Sequence, residues 1–152
     1  KNKMNINFRK FRESDREDYL RMANSFYSPP AVLHEPDEAV FIANFNEALK
    51  PDGRLIAYIV EADGKTAGFG FSTLKFETEV GGTTLWLEEL YLEPEYRGCG
   101  IGGSYFEFVK SEFGGKVKRI RLEVGPENVG AIRLYERNGF DFLNYRQMII
   151  DY

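Results

Sequence analysis

What this sequence has least of narrows it first. One cysteine, Cys99, and one histidine, His34, stand among 152 residues. A lone thiol closes no intramolecular disulfide, and a single imidazole beside it leaves a soft-metal centre almost without nitrogen and sulfur ligands. Disulfide scaffolding and metal catalysis are therefore set aside. Long apolar runs are also missing. None approaches the ~18 residues of a membrane-crossing helix, and the opening Lys1-Asn2-Lys3-Met4 lacks the apolar stretch of a signal peptide. A soluble, cytoplasmic chain with no membrane partner is expected. Lys1-Asn2-Lys3 reads as a processing remnant, which puts one domain at 4–152. Nor is there an excess of positive charge. Twenty Lys and Arg against 24 Asp and Glu give a net charge of -4, the wrong sign for affinity built on neutralised phosphates, so nucleic acid is not an expected partner.

The chain does have glycine in excess. Fifteen among 152 residues exceeds the usual share of about 7%, and their positions order the rest of the chain. Ile6, Phe8 and Phe11 nearly alternate with polar residues, the period of a half-buried strand. Ser14-Asp15 then starts a helix carrying Tyr19, Leu20, Met22, Ala23 and Phe26, which Ser28-Pro29-Pro30 stops. A second helix begins near Pro36 or Asp37, with Val40, Phe41, Asn44, Phe45 and Leu49 at three- and four-residue steps, and Pro51-Asp52-Gly53 ends it. Three strands follow, from Leu55 to Ala62, Thr66 to Phe76 and Thr83 to Leu92. Asp63-Gly64 and Gly81-Gly82 separate them as two-residue hairpin signals, so the three form an antiparallel meander. After the glycine-rich stretch from Arg97 to Gly103 come a helix to Phe113, a strand from Arg119 to Val124, a helix from Asn128 to Arg137, and a last strand over Phe142 to Ile150. The order β-α-α-β-β-β-α-β-α-β predicts an α+β fold of three layers, a single mixed and mostly antiparallel sheet with helices on both faces.

Gly98, Gly100 and Gly103 satisfy the dinucleotide fingerprint G-x-G-x-x-G in letter. Three features argue against that reading. Pro94-Glu95-Tyr96-Arg97 separates the glycines from their strand, too little chain follows for repeated βαβ units, and Glu88 and Glu89 interrupt a strand that an all-parallel sheet would keep apolar. What remains is the general property of such loops. Glycines let successive N–H groups converge, the following helix adds its positive end, and Arg97 adds a cation, a combination suited to a pyrophosphate.

Arg97-Gly98-Cys99-Gly100-Ile101-Gly102 also fits the pattern Arg or Gln, two residues, Gly, one residue, Gly or Ala. With its flanks, Leu87-Glu88-Glu89-Leu90-Tyr91-Leu92 before it and Asn128 with Ala131-Ile132-Arg133-Leu134-Tyr135-Glu136-Arg137-Asn138-Gly139-Phe140 after it, the chain resembles the GNAT superfamily of N-acetyltransferases. The resemblance implies transfer of acetyl from acetyl-CoA to an amine. It implies that the pantetheine arm pairs with the backbone of Leu90, Tyr91 and Leu92, and that the pyrophosphate lies on Arg97, Gly98, Cys99, Gly100, Ile101, Gly102 and Gly103. Asn128 and Ala131 would meet the cofactor from the far side, with Tyr135 at the thioester.

Chemistry adds two requirements. An alkyl ammonium near pKa ~10 has to lose a proton before it attacks, and the leaving thiolate is improved by gaining one. Adjacent strand residues point to opposite faces, so only one of Glu88 and Glu89 is expected on the substrate side. By the resemblance Glu88 is the base, Tyr135 is the acid, and Glu89 and His34 are weaker candidates for binding substrate. Cys99 as a covalent carrier is disfavoured, since no histidine lies near it in sequence. Acidic residues at Glu35, Asp37, Glu38, Glu88 and Glu89 point to a cationic acceptor, a small polyamine, diamine or amino sugar. The alternatives are a peptide or protein N-acetyltransferase and a CoA-binding sensor. A homodimer is compatible with the pattern.

Overall fold

The structure, a computed structural model, describes residues 3–28 and 36–152. Five strands form one sheet in the order β1-β2-β3-β4-β5: β1 (Ile6–Lys10), β2 (Ile56–Ala62), β3 (Lys65–Glu77), β4 (Gly82–Leu92) and β5 (Arg119–Leu122). The first four are antiparallel neighbours, and β5 pairs with β4 in parallel. The mixed, mostly antiparallel sheet is the expected one. Helices α1 (Arg16–Phe26) and α2 (Glu38–Leu49) cover one face, and α3 (Ile101–Phe113) and α4 (Val129–Arg137) the other.

Alternation along the strands divides the core accordingly. Ala57, Ile59, Phe69, Phe71 and Tyr91 meet Tyr19, Met22, Phe41 and Phe45 beneath α1 and α2. Tyr58, Leu85 and Leu87 meet Tyr105, Phe106 and Val109 beneath α3. Each Leu, Ile, Val, Phe or Met side chain among them, fully buried, contributes about 1.5–3 kcal/mol of transfer free energy. Close approach explains Gly70, where an added Cβ would collide with the buried Tyr105 ring and hydroxyl. Among the described residues no helix is long and apolar enough to cross a membrane.

The Asp63-Gly64 turn is the two-residue hairpin its sequence predicts, with Ala62 paired to Lys65 and both turn residues at positive φ. The second hairpin differs. β3 runs on to Glu77, which pairs with Gly82, so the turn spans 78–81. Glu77 is held inside the sheet by Thr84 Oγ1 at 2.9 Å, Arg119 at 3.2 Å and Arg121 at 3.1 Å. Those partners explain why the strand extends past the expected end.

The strand expected over 142–150 does not form; the chain after Gly139 enters no ladder. Its apolar residues come in succession, Phe142-Leu143 and Met148-Ile149-Ile150, so no single register places them on one face of a sheet. The segment instead stands beside β5 across a cavity of about 590 Å³ lined by Ile120, Leu122, Phe140, Phe142 and Leu143.

Candidate active site

The site begins with a fault in the sheet. β3 and β4 pair regularly up to Phe71↔Glu89, and the next pair is Ser72↔Leu87, which leaves Glu88 without a partner as a β-bulge. The extra residue cancels the alternation that would separate the two carboxylates. Glu89 reaches the α1 side, where the Tyr27 hydroxyl donates to its Oε1. Glu88 turns to the same face and accepts from Thr73 Oγ1 at 2.8 Å. The expectation that only one of them lines the substrate side is thereby corrected. A signal for the bulge lies in the sequence: Leu85, Leu87, Leu90 and Leu92 keep a step of two except across Glu88-Glu89, where the step is three, and Leu85, Leu87 and Leu90 nonetheless share the α3 face.

The two carboxylates differ in their surroundings. Glu88 is exposed. Glu89 is largely enclosed, and its Oε2 finds no hydrogen-bond partner among the described residues. Burial raises its carboxyl, the Tyr27 bond opposes that by favouring the ionised form, and the Glu88 charge raises it further, leaving it at about 7. Tyr27 is itself raised by burial and by Glu89, so its hydroxyl remains a donor throughout the neutral range.

Behind the carboxylates the sheet opens. The β4–β5 ladder ends at Leu87↔Leu122, while β4 continues to Leu92. The splay forms a cavity of about 530 Å³ that brings together Glu88, Glu89, Leu90, Asn128 and Tyr135. Tyr135 is positioned by α4. Asn128 caps that helix by accepting from Ala131 N at 3.2 Å, and Tyr135 packs edge-on against Phe106 at 5.6 Å. Burial raises the Tyr135 hydroxyl above its usual value, so it stays protonated at neutral pH.

The glycine loop closes the other end of β4. Gly98 and Gly100 have φ of 70° and 81°, the left-handed region that suits glycine. The first intrahelical bond of α3 is Ser104 N to Gly100 O, and no side chain among the described residues caps this helix. The N–H groups of Ile101, Gly102 and Gly103 therefore have no intrahelical acceptor, and with the positive end of the helix they can receive a diphosphate. Arg97 Nε donates to Leu92 O at 2.8 Å and its guanidinium lies 5.5 Å from the Tyr91 ring centre, which holds a cation at the loop mouth.

A family model described as the Acetyltransferase (GNAT) family matches residues 11–140. The chain belongs to the GNAT acetyltransferase family. It is 30% identical over 142 residues to the thialysine N-epsilon-acetyltransferase of Mus musculus, covering 84% of this chain and 79% of that one. It is 30% identical over 84 residues to the spermine/spermidine N(1)-acetyltransferase of Bacillus subtilis, spanning 53% of this chain and about half, 55%, of that relative. Its fold matches the aminoglycoside N-acetyltransferase AAC(6')-Iy solved with CoA, with a TM-score of 0.73, 19% identity and coverage of 98% and 94%.

This GNAT N-acetyltransferase uses acetyl-CoA, which supplies an activated acetyl group. The free N–H groups at the start of α3 and the unpaired edge of β4 suit its diphosphate and its amide-bearing arm. Some of the expected contact residues can serve only through the backbone. Ile101 and Tyr91 have their side chains in the core, 2% and 5% exposed, and Ala131 N is already occupied by the Asn128 cap. Cys99 is exposed and absent from the lining of the cleft. Asp37 caps α2 through Ala39 N, so it is no free acceptor-binding acid. His34 and Glu35 lie outside the described residues. Sequence reasoning missed Tyr27, since the last turn of a helix before a Ser-Pro stop carries no signal of a partner on a distant strand.

Proposed function

We propose that this GNAT enzyme acetylates a primary amine of a small molecule, with Glu89 as proton acceptor and Tyr135 as proton donor. The observation that carries the reading is the Glu89 carboxyl, placed in the β4–β5 cleft and poised at about 7. A base near neutrality is ionised often enough to work and basic enough to take a proton from an ammonium, directly or through water. Glu88, favoured on resemblance, is exposed and engaged by Thr73, and its role is to add negative charge that draws a cation. Tyr135, protonated and lining the same cleft, donates to the departing sulfur. The free N–H groups of residues 101–103 and Arg97 hold the diphosphate, and the backbone of Leu90 to Leu92 holds the pantetheine arm. The named relatives, which act on thialysine and on spermine or spermidine, support a small amine over a peptide.

Release of free thiol from acetyl-CoA, followed with small amines and with peptides as acceptors, tests this. Small amines should be turned over with an acidic limb in the pH profile near 7. Glu89→Gln should lose most of the neutral-pH rate and recover part of it at high pH, where the amine is already neutral. Turnover of peptides with none of small amines would overturn the acceptor, and an unchanged profile in Glu89→Gln would overturn the base.

A further inference from the structure

On the face that carries Glu88 and Glu89, the apolar floor under α1 and α2 ends on β3 at Phe71. The same face continues through Thr73, Lys75 and Glu77 on β3, Thr84 and Trp86 on β4, and Arg119 and Arg121 on β5, as their register pairs show. The charge changes sign along β4. At the bulge stand two carboxylates. One strand step towards the N-terminal end, Trp86 lies between two cations, with the Arg121 guanidinium 4.4 Å and the Lys75 ammonium 5.9 Å from its ring centre. The indole N–H of Trp86 is buried and finds no acceptor among the described residues. An indole N–H only donates, so the group lacking here is an acceptor, and the cations on either side favour an anionic one.

The carboxylates already nearby do not fill that need. Glu77 is bonded by Thr84, Arg119 and Arg121, and Glu79 by Arg119. Arg121 spends one nitrogen on Glu77, and the guanidinium has further donors in its fork. Lys75 is exposed and makes no ion pair among the described residues. A ligand group with two oxygens would satisfy the indole, the ammonium and the remaining guanidinium donors together.

We infer that the acceptor is an amine that also carries a carboxylate, the carboxylate seated at Lys75, Arg121 and Trp86 while the ammonium lies at Glu88 and Glu89. The inference rests on the amine-acetylation reading of the Glu89 site. Its reach is consistent with an amino-acid side chain. Residues 86 and 89, with one bulge between them, are separated by about 7–10 Å at 3.2–3.4 Å per strand residue. A lysine-like chain spans roughly 7 Å from its terminal nitrogen to its carboxylate carbon, six bonds of about 1.25 Å advance each. A polyamine of that length would instead place a second cation against Lys75 and Arg121, where like charges repel.

The test compares kcat/KM within two matched pairs of acceptors, L-lysine with 1,5-diaminopentane, and S-(2-aminoethyl)-L-cysteine with bis(2-aminoethyl) sulfide. Members of a pair differ only by the carboxylate. The acid member should be preferred by about ten- to a hundredfold, the worth of a hydrogen-bonded charge. Lys75→Glu should reverse that preference by raising KM for the acids, with kcat for them largely kept. Lys75 is exposed, so the variant should fold; unchanged acetyl-CoA affinity checks this. Arg121→Lys, which keeps the charge facing Glu77, should weaken the preference without inverting it. Equal or better use of the diamines by the wild-type enzyme, or an unaltered preference in Lys75→Glu, overturns the carboxylate site and leaves amine acetylation standing. Refusal of all four acceptors while spermidine is turned over overturns the carboxylate site alone, and refusal of spermidine as well, with acetyl-CoA still bound, overturns both.

Discussion

Glu89 is placed between opposing influences, and the balance decides its use. Burial and the charge of Glu88 disfavour its ionised form, while the Tyr27 hydroxyl favours it. Tyr27→Phe removes that donor and keeps the ring against Phe26 and Phe41. With burial then unopposed, the acidic limb of the kcat/KM profile should move upward by roughly one to two units, the equivalent of one hydrogen bond to a charged group. A pH profile of the variant checks the direction. A limb that stays in place or falls would mean that Tyr27 does not tune the base. Tyr135 invites the complementary substitution. Tyr135→Phe retains the packing on Phe106 and Phe140 but loses the proton. Its kcat should fall by about 10²–10⁴, with the CoA dissociation constant from calorimetry nearly unchanged.

At the scale of elements, the sequence is most readable where local pattern and tertiary packing agree. The Asp63-Gly64 hairpin, the Asn128 start of α4 and the glycine turn before α3 are local chemistry, and each lies where its residues predict. Three features depend on distant partners. β3 extends to Glu77 because Arg119 and Arg121 arrive from a strand about forty positions on. Glu89 takes its hydrogen bond from Tyr27, 62 positions away. The terminal segment has apolar residues in adjacent positions, so its pattern leaves the register open. The bulge is intermediate, written in the three-residue step between Leu87 and Leu90 but easily overridden by the rule of alternation. The glycine turn provides its own prediction. Gly100 caps α3 at φ 81°, and an L-residue there costs about 1–2 kcal/mol. Gly100→Ala should lower the melting temperature by roughly 2–8 °C on the usual scaling for this chain length and weaken CoA binding, because relief of the strain redirects the N–H groups that follow. Unaltered CoA affinity would show that the turn is structural only.

For the molecule as a whole, two buried carboxylates set opposite limits on stability. Asp15 is pulled up by burial, but the hydrogen bonds from Arg9 and the Arg12 N–H and the charges of both arginines outweigh it and hold the group below its ordinary value. Its contribution is present above that ordinary value and is lost as pH falls through the lowered one. Glu89 behaves in reverse. Its carboxyl moves from an ordinary 4.5 to about 7 on folding, so between those values the folded state holds more protons than the unfolded state and stability declines as pH rises. Above about 7 the full penalty applies, about 3–4 kcal/mol for this shift. Glu89→Gln is uncharged at every pH and keeps an acceptor for the Tyr27 hydroxyl. The variant should therefore melt about 7–14 °C above the wild type at pH 8, with the difference shrinking towards zero near pH 4. Thermal unfolding at the two pH values reads this directly, and an equal difference at both would show that ionisation of Glu89 is not the cause. The same substitution removes the proposed base, so the enzyme gains stability at the pH where it loses turnover, as expected when a charged group is buried for chemistry at a cost to the fold.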